Sequence, residues 1–260
     1  MGDRILQISD DFWNIRGSFK VAGLVDVGTQ ASLVRRANGR FVFLDSYTLS
    51  GEVERQVRAL TNDGKDVEAV LNVHPFHTVH VKRMHESFPD ARLYGTARHV
   101  SRAPQLPWEQ ARTEDTALHV VFAEDFDFMV PRGVDFISSN EHVHFSSVLV
   151  LHRASKTIHV DDTLNYVRLP KAARRLGPAD VMRFHPTLGM ALENRAGAAR
   201  DFRRWAEELA ERWHEAENLC AAHTAALTGK KNRGASIHDR ILEALQKTRR
   251  TLRAHERKYG

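Results

Sequence analysis

A buried strand that leads directly into a run of histidines limits the fold of this chain more than any other feature. Residues 67–73 are mostly apolar and rich in β-branched side chains, which is typical of a strand inside a sheet. His74, His77 and His80 follow at once. Because functional side chains are concentrated on loops that a rigid scaffold positions, the pattern indicates an α/β protein with its functional groups on loops at one edge.

Strands and helices are predicted to be mixed along most of the chain. Asn38-Gly39 predicts a tight hairpin turn. Val53 and Val57 share one face of a helix predicted over residues 51–60. Further strands are predicted at residues 19–27, 32–35, 41–44, 91–94, 118–122, 126–130, 134–137, 143–151 and 157–160, a second helix at 79–87, and an irregular loop at 98–116.

The last quarter of the chain is predicted to be helical. Phe202, Trp205 and Leu209 recur at helical spacing and form one apolar stripe. Ser236 is placed to cap a final helix, whose apolar face carries Ile237, Ile241, Leu245 and Leu252. We therefore predict a main domain over residues 1–228 and a basic C-terminal helix over residues 229–260.

The net positive charge of the chain comes from that final segment alone. Residues 230–260 contain ten Lys/Arg and three Asp/Glu, a net charge of +7, whereas the remainder contains 28 and 30, a net charge of −2. Three interpretations stay open: a solvated helix face, a homo-oligomer contact that covers the apolar side chains, or nucleic-acid binding through phosphates. The body of the protein is not basic.

Composition excludes several other classes of protein. With one cysteine, Cys220, the chain can form neither an intramolecular disulfide nor a thiolate zinc cluster. We see no signal peptide and no apolar run long enough to span a bilayer. The expected location is the cytoplasm, with no membrane partner. Fifteen histidines matter only if they cluster at useful spacings.

Four segments contain residues that could converge on a metal ion. They are the loop with His74 and His77, the pair His142 and His144, the pair Asp161-Asp162 after a strand, and His185-Pro186. Catalytic zinc sites take nitrogen and oxygen ligands from several loops and leave one position open. We interpret Asp161 as a solvent-facing carboxylate and His85, His99, His119, His152 and His159 as ordinary residues.

The order of these segments resembles the metallo-β-lactamase superfamily over roughly residues 19–215. Members have a hairpin that ends in an aspartate, as at Asp45, then a strand that leads into H-x-H-x-D-H. They continue with a middle turn that carries a histidine, a G-D-T-L-like element, similar here to residues 160–164, and a late histidine. The resemblance implies a four-layer αβ/βα sandwich with a helical C-terminal extension.

The same resemblance implies a set of metal ligands. Asp162 stands at the metal-bridging carboxylate, His185 at the late histidine, and His142 or His144 at the histidine of the middle turn. Zinc is the expected metal, iron and manganese are the alternatives, and one or two ions are bound. Asp45 is expected to hold loops together through backbone amides.

Two positions depart from the motif. Over H-x-H-x-D-H, His74 and His77 match the second and third histidines, whereas Asn72 replaces the first histidine and Phe76 replaces the aspartate. In the family that aspartate ligates the second metal and orients the attacking water. An alternative register uses His74, His77 and His80, with the last two on one face of a helix that begins near His77.

We therefore expect a hydrolase of a small ester, lactone or thioester, in which a metal-bound hydroxide attacks the substrate. Asp162 or His80 would have to orient the water in place of the missing aspartate. The alternative is a binding or regulatory protein that kept the fold and lost catalysis. A nucleic-acid-processing protein is the least favoured interpretation, since the nucleases of this superfamily rely on an intact metal motif.

Overall fold

Two β-sheets face each other in the computed structural model, which describes residues 3–18, 20–21, 25–26, 28–168, 180–222, 225–230, 232 and 234–260. The first sheet has the order β1-β2-β5-β6-β7-β8. Its strands are β1 (Arg4–Ser9), β2 (Phe12–Gly17), β5 (Thr29–Arg35), β6 (Phe41–Leu44), β7 (Val67–Leu71) and β8 (Arg92–Tyr94); the short pair β3 (Lys20–Val21) and β4 (Val25–Asp26) lies apart from it.

The second sheet has the order β15-β14-β11-β10-β9. Its strands are β9 (Phe126–Met129), β10 (Leu149–His152), β11 (Thr157–Val160), β14 (Asn218–Ala221) and β15 (Ala226–Leu227), and a separate ribbon pairs β12 (Leu164–Arg168) with β13 (Asp180–Phe184). The helices are α1 (Gly51–Leu60), α2 (Val81–Ser87), α3 (Ala97–Arg102), α4 (Thr116–Val121), α5 (Leu188–Ala191), α6 (Ala198–Arg212), α7 (Ile237–Lys247) and α8 (Arg249–Tyr259).

Three groups of buried side chains define the layers. The group between the sheets takes Val42 and Leu71 from the first sheet and Phe128 and Val150 from the second. A second group joins the outer face of the first sheet to α1 and α2. The third joins the outer face of the second sheet to α6, α7 and α8. Helices therefore flank two central sheets, as the predicted four-layer αβ/βα sandwich requires.

Local sequence explains the elements that were predicted correctly. The turn at Asn38-Gly39 connects antiparallel β5 and β6, and Gly39 has a positive φ of 80°. The helix α1 has the predicted bounds and buries Val53 and Val57. Ser236 caps α7, because its hydroxyl oxygen accepts a hydrogen bond of 3.0 Å from the amide of Asp239.

Several predicted elements are wrong. Residues 118–122 fall largely in the helix α4. The two buried side chains, Leu118 and Phe122, are one helical turn apart, whereas Val120 between them is 70% exposed. Residues 134–137 form no strand beyond one isolated bridge at Val134. The strand predicted at 143–151 is confined to β10. The strand predicted at 19–27 lies partly outside the described residues.

The C-terminal segment packs on the rest of the chain. It forms two helices rather than one, α7 and α8, which meet at Thr248. The side chains that motivated the predicted contact between copies are buried in the same group as α6: Ile237, Ile241, Leu245 and Leu252. The proposed boundary at residue 228 stays a prediction. Among the described residues, no helix is long and apolar enough to cross a membrane.

Candidate metal centre

The histidine loop is fixed by the aspartate that ends β6. Asp45 follows Leu44 with a positive φ of 62°, and its Oδ1 atom accepts hydrogen bonds from the amides of Val73, at 2.8 Å, and His74, at 3.4 Å. These two bonds give the amides that follow β7 an acceptor beyond the end of the strand. The prediction that Asp45 ties loops together through backbone amides is confirmed.

Three predicted ligands converge at this edge of the two sheets. Atoms of His74, His77 and Asp162 lie within 4.8 Å of one another. Asp162 comes from the second sheet, just after β11. Its Oδ2 atom lies 3.2 Å from Nε2 of His74 and 4.0 Å from Nε2 of His77. The two imidazole rings stack with centroids 4.0 Å apart.

A further ring-nitrogen contact of His77 involves Asp161, which the sequence predicts to face solvent. Nδ1 of His77 lies 3.1 Å from Oδ2 of Asp161, which is fully buried. The prediction that Asp161 faces solvent is therefore wrong. Val160 ends β11, and Asp161 follows it with no exposed surface, so its side chain has no contact with solvent.

A second carboxyl group contacts Asp161. Burial and the negative charge of Asp161 raise the pKa of Asp45 well above its ordinary value. Burial alone would also raise the pKa of Asp161, but His77 and the hydrogen bond with Asp45 hold that pKa well below its ordinary value. The pKa values of the two carboxyl groups thus move in opposite directions, which favours the negative charge on Asp161, the residue that faces His77.

Burial favours the neutral form of two histidines at the site, His74 and His159. Burial, reinforced by the neighbouring His77, lowers the pKa of His74. The pKa of His159 falls to about 4 because the residue is buried, and its Nε2 atom lies 3.2 Å from Oδ2 of Asp45. Neutral imidazole is the form that binds metal ions.

The remaining predicted ligands lie outside this group. His142 is exposed, and the ring of His144 has its centroid 6.5 Å from that of His74 while its Nε2 atom contacts the carbonyl of Glu141. Nδ1 of His185 bonds to the hydroxyl of Thr187 at 2.7 Å. Neither they nor His80 belong to a metal-like group among the described residues.

The alternative register fails on the position of the helix. The helix α2 begins at Val81, so His80 precedes it instead of sharing a helical face with His77. Nδ1 of His80 lies 2.9 Å from the hydroxyl of Thr48, and its ring packs on Tyr47. The structure therefore separates His80 from the group formed by His74, His77 and Asp162.

Solved metallo-β-lactamases are similar to the structure over nearly its whole length. The DIM-1 metallo-β-lactamase exposed to ceftazidime matches with a TM-score of 0.61, covering 95% of this chain and 98% of that one at 13% identity. FIM-1 from Pseudomonas aeruginosa, in its mono-zinc form, matches with 0.58, covering 95% and 96% at 12% identity. The chain has the metallo-β-lactamase fold. No family model and no curated protein matches it.

Within the metallo-β-lactamase fold, the two replaced motif positions have taken other roles. Asn72 is buried, accepts a hydrogen bond of 2.6 Å from the hydroxyl of Ser46, and donates one of 2.9 Å to the carbonyl of Tyr94. Phe76 stacks on the ring of His144, with centroids 4.4 Å apart, and the guanidinium of Arg98 lies 4.3 Å above it. Neither position supplies a metal ligand.

Three residues around the site were missed by sequence reasoning: Asp161, His159 and His99. Asp161 occupies the glycine position of the G-D-T-L-like element, and His159 lies between the apolar residues Ile158 and Val160. A polar side chain at such a position needs a buried partner, which is the signal that was available. His99, whose pKa burial lowers to about 3, lies 3.4 Å from the carbonyl of His77.

Proposed function

We propose that the protein is a metal-dependent hydrolase that holds one divalent ion on His74, His77 and Asp162. The observation that carries the proposal is the convergence of these three side chains within 4.8 Å. Ligands about 2.05 Å from a tetrahedral ion lie about 3.3 Å from one another. The spacings of 3.2 Å and 4.0 Å from Oδ2 of Asp162 bracket that value.

The nitrogen atoms of the pocket fit an ion at the cost of one hydrogen bond. Among the described residues, Nε2 of His74 has no hydrogen-bond partner of good geometry, although Asp162 is close. Nδ1 of the same ring accepts a bond of 3.2 Å from the amide of Phe76. An ion at Nε2 requires the proton on Nδ1, so this amide loses its acceptor, which costs about 1 kcal/mol.

We propose zinc as the metal, with iron or manganese as alternatives, and one ion rather than two. Asn72 and Phe76 supply no ligands, which supports a single site; FIM-1, one of the similar structures, is described in a mono-zinc form. A bound ion supplies a Lewis acid and hydroxide near neutral pH. Asp162 would hold the ion through Oδ2 and, through its other carboxylate oxygen, would take up the proton that a bound water gives up; the stacked rings of Phe76 and His144 lie beside His74.

The proposed substrate is a small ester, lactone or thioester. The test is turnover of a panel of such compounds by zinc-loaded protein and by His77→Ala and Asp162→Ala. We expect both variants to lose at least as much activity as the about 10- to 100-fold that removal of an outer-shell partner costs, because each variant removes a ligand itself. The matched control is His142→Ala, an exposed histidine outside the group, which should keep full activity. Activity that survives in both ligand variants would refute the proposal.

One observation favours a second candidate function, a binding protein without catalysis. The aspartate position of the motif is occupied by Phe76, whose ring is held between His144 and Arg98. Arg98 in turn donates a hydrogen bond of 2.9 Å to Glu141, which fixes the arrangement. Zinc binding without turnover on any substrate of the panel would favour this candidate.

A further inference from the structure

A row of buried polar side chains connects the first sheet to His77. It begins at Asn14 on β2, continues through Gln30 on β5 and Asp161 after β11, and ends at the imidazole. Asn14 and Asp161 are fully buried and Gln30 is 1% exposed, so Gln30 depends on both neighbours for its hydrogen bonds. The last link, from Oδ2 of Asp161 to Nδ1 of His77, is an ion-pair contact of 3.1 Å without hydrogen-bond geometry. The row crosses from one sheet to the other beneath the site.

The amide of Gln30 can adopt only one orientation. Its nitrogen donates to the backbone carbonyls of Val160, at 2.9 Å, and Cys220, at 3.1 Å. Carbonyl oxygens only accept hydrogen bonds, so the Nε2 atom must face them. The oxygen of the amide, on the other side, accepts a bond of 3.1 Å from Nδ2 of Asn14.

This orientation fixes the carboxylate of Asp161. The two N–H groups of Gln30 are shared among three acceptors, because Nε2 also lies 2.9 Å from Oδ1 of Asp161, which leaves Oδ2 toward Nδ1 of His77 at 3.1 Å. An ionised carboxylate accepts hydrogen bonds and donates none. In the neutral form of the ring, the carboxylate oxygen 3.1 Å from Nδ1 therefore favours the proton on Nδ1 and the lone pair on Nε2, which faces Asp162 at 4.0 Å.

We propose that Asp161 is a positioning residue that sets the tautomer of His77 and so turns the lone pair of Nε2 toward the metal position. This proposal deepens the proposed function, since only an ion at that position uses the lone pair. Metal-bound histidines commonly donate their other ring N–H to a carboxylate or a carbonyl. Here the carboxylate comes from the position where the G-D-T-L-like element has glycine.

The substitution Asp161→Asn tests the proposal because Gln30 decides how the new amide turns. Because Nε2 of Gln30 is a hydrogen-bond donor, the side-chain oxygen of the variant residue at position 161 should turn toward it. The side-chain NH₂ group at that position then faces Nδ1 of His77. Two donors cannot face each other, and the imidazole proton must move to Nε2. That tautomer has no lone pair for the ion, and the zinc affinity should fall by about 10- to 100-fold.

The direct measurement is the tautomer of His77, read from long-range ¹H–¹⁵N correlation spectra of metal-free protein labelled with ¹⁵N-histidine, at a pH above the pKa of His77 found in a pH titration of the same sample, so that the ring is neutral. We expect the proton on Nδ1 in the wild type and on Nε2 in Asp161→Asn. The matched control is Asp125→Asn, which removes a buried carboxylate paired with Arg36 at the opposite end of the sheet and should leave His77 unchanged. A merely structural role of Asp161 would leave the proton on Nδ1 in a folded variant.

The outcomes separate the two proposals. If His77 carries its proton on Nε2 in the wild type, or keeps it on Nδ1 in Asp161→Asn, the positioning role is wrong. If the tautomer switches as expected but wild-type protein binds no zinc, the positioning role stands and the proposed function fails. If Asp161→Asn does not fold, Asp161→Gly replaces it, because glycine removes the carboxylate without adding a donor. The inference would be overturned if His77 in that variant carried its proton on Nδ1 alone.

Discussion

Replacing Asn72 by alanine separates a structural role at this position from a ligand role. The change removes an acceptor for the hydroxyl of Ser46, at 2.6 Å, and a donor to the carbonyl of Tyr94, at 2.9 Å. That carbonyl keeps the amide of residue 72 as a partner, at 3.0 Å. The hydroxyl is buried, and leaving it without a partner costs about 1–3 kcal/mol, to which the second lost bond adds about 1 kcal/mol.

We therefore expect Asn72→Ala to lower the free energy of unfolding by about 2–4 kcal/mol, measured by urea titration. A double-mutant cycle of Asn72→Ala, Ser46→Ala and the variant that combines them should give a coupling energy of at least about 0.5 kcal/mol. The zinc affinity should change by less than a ligand substitution would cause. An unchanged stability, or a loss of zinc as large as in His77→Ala, would refute the structural role of Asn72.

Three further predictions concern the scaffold. Leu252→Ala, in the core that joins α8 to α6, should cost about 2–5 kcal/mol in urea, and a loss below about 1 kcal/mol would contradict that packing. Gly133→Ala should not give folded protein on circular dichroism, because Gly133 has a φ of 73° and a Cβ atom would lie 2.1 Å from the carbonyl oxygen of Ala198; a native spectrum would contradict this. Burial lowers the pKa of His152 to about 4, below the unfolded value of about 6.5. Because the unfolded chain takes up the proton first, the free energy of unfolding should fall by up to about 1.4 kcal/mol per pH unit as the pH drops from about 6.5 to about 4. An equal dependence of the free energy of unfolding on pH in wild type and His152→Gln would contradict this.

Sequence patterns identified elements whose signals are local. The turn at Asn38-Gly39 needs a positive φ, and helix α1 has its apolar residues on one face, so each follows from a few neighbouring residues. The segment 118–122 is rich in β-branched residues and reads as a strand, yet it folds as α4. Its burial is decided by contacts of Leu118 and Phe122 with distant strands, which no local pattern contains.

The candidate site divides in the same way. His74, His77 and Asp162 lie in motifs whose spacing could be matched along the chain, and the structure brings them together. Asp161 and His77 are 84 residues apart in sequence, and they face each other only because the two sheets pack together. The position of Gln30 under Asp161 depends on the same packing, so neither partnership could be read from the sequence.

The metal content of the purified protein tests the central proposal most directly. Wild type, His77→Ala and Asp162→Ala would be purified without a metal-binding tag, incubated with zinc, desalted and measured by plasma mass spectrometry. One equivalent of zinc in the wild type, lost from both variants while they remain folded, is the predicted result. Well-folded wild type that retains no zinc, iron or manganese, or variants that retain as much as the wild type, would contradict the proposed metal centre.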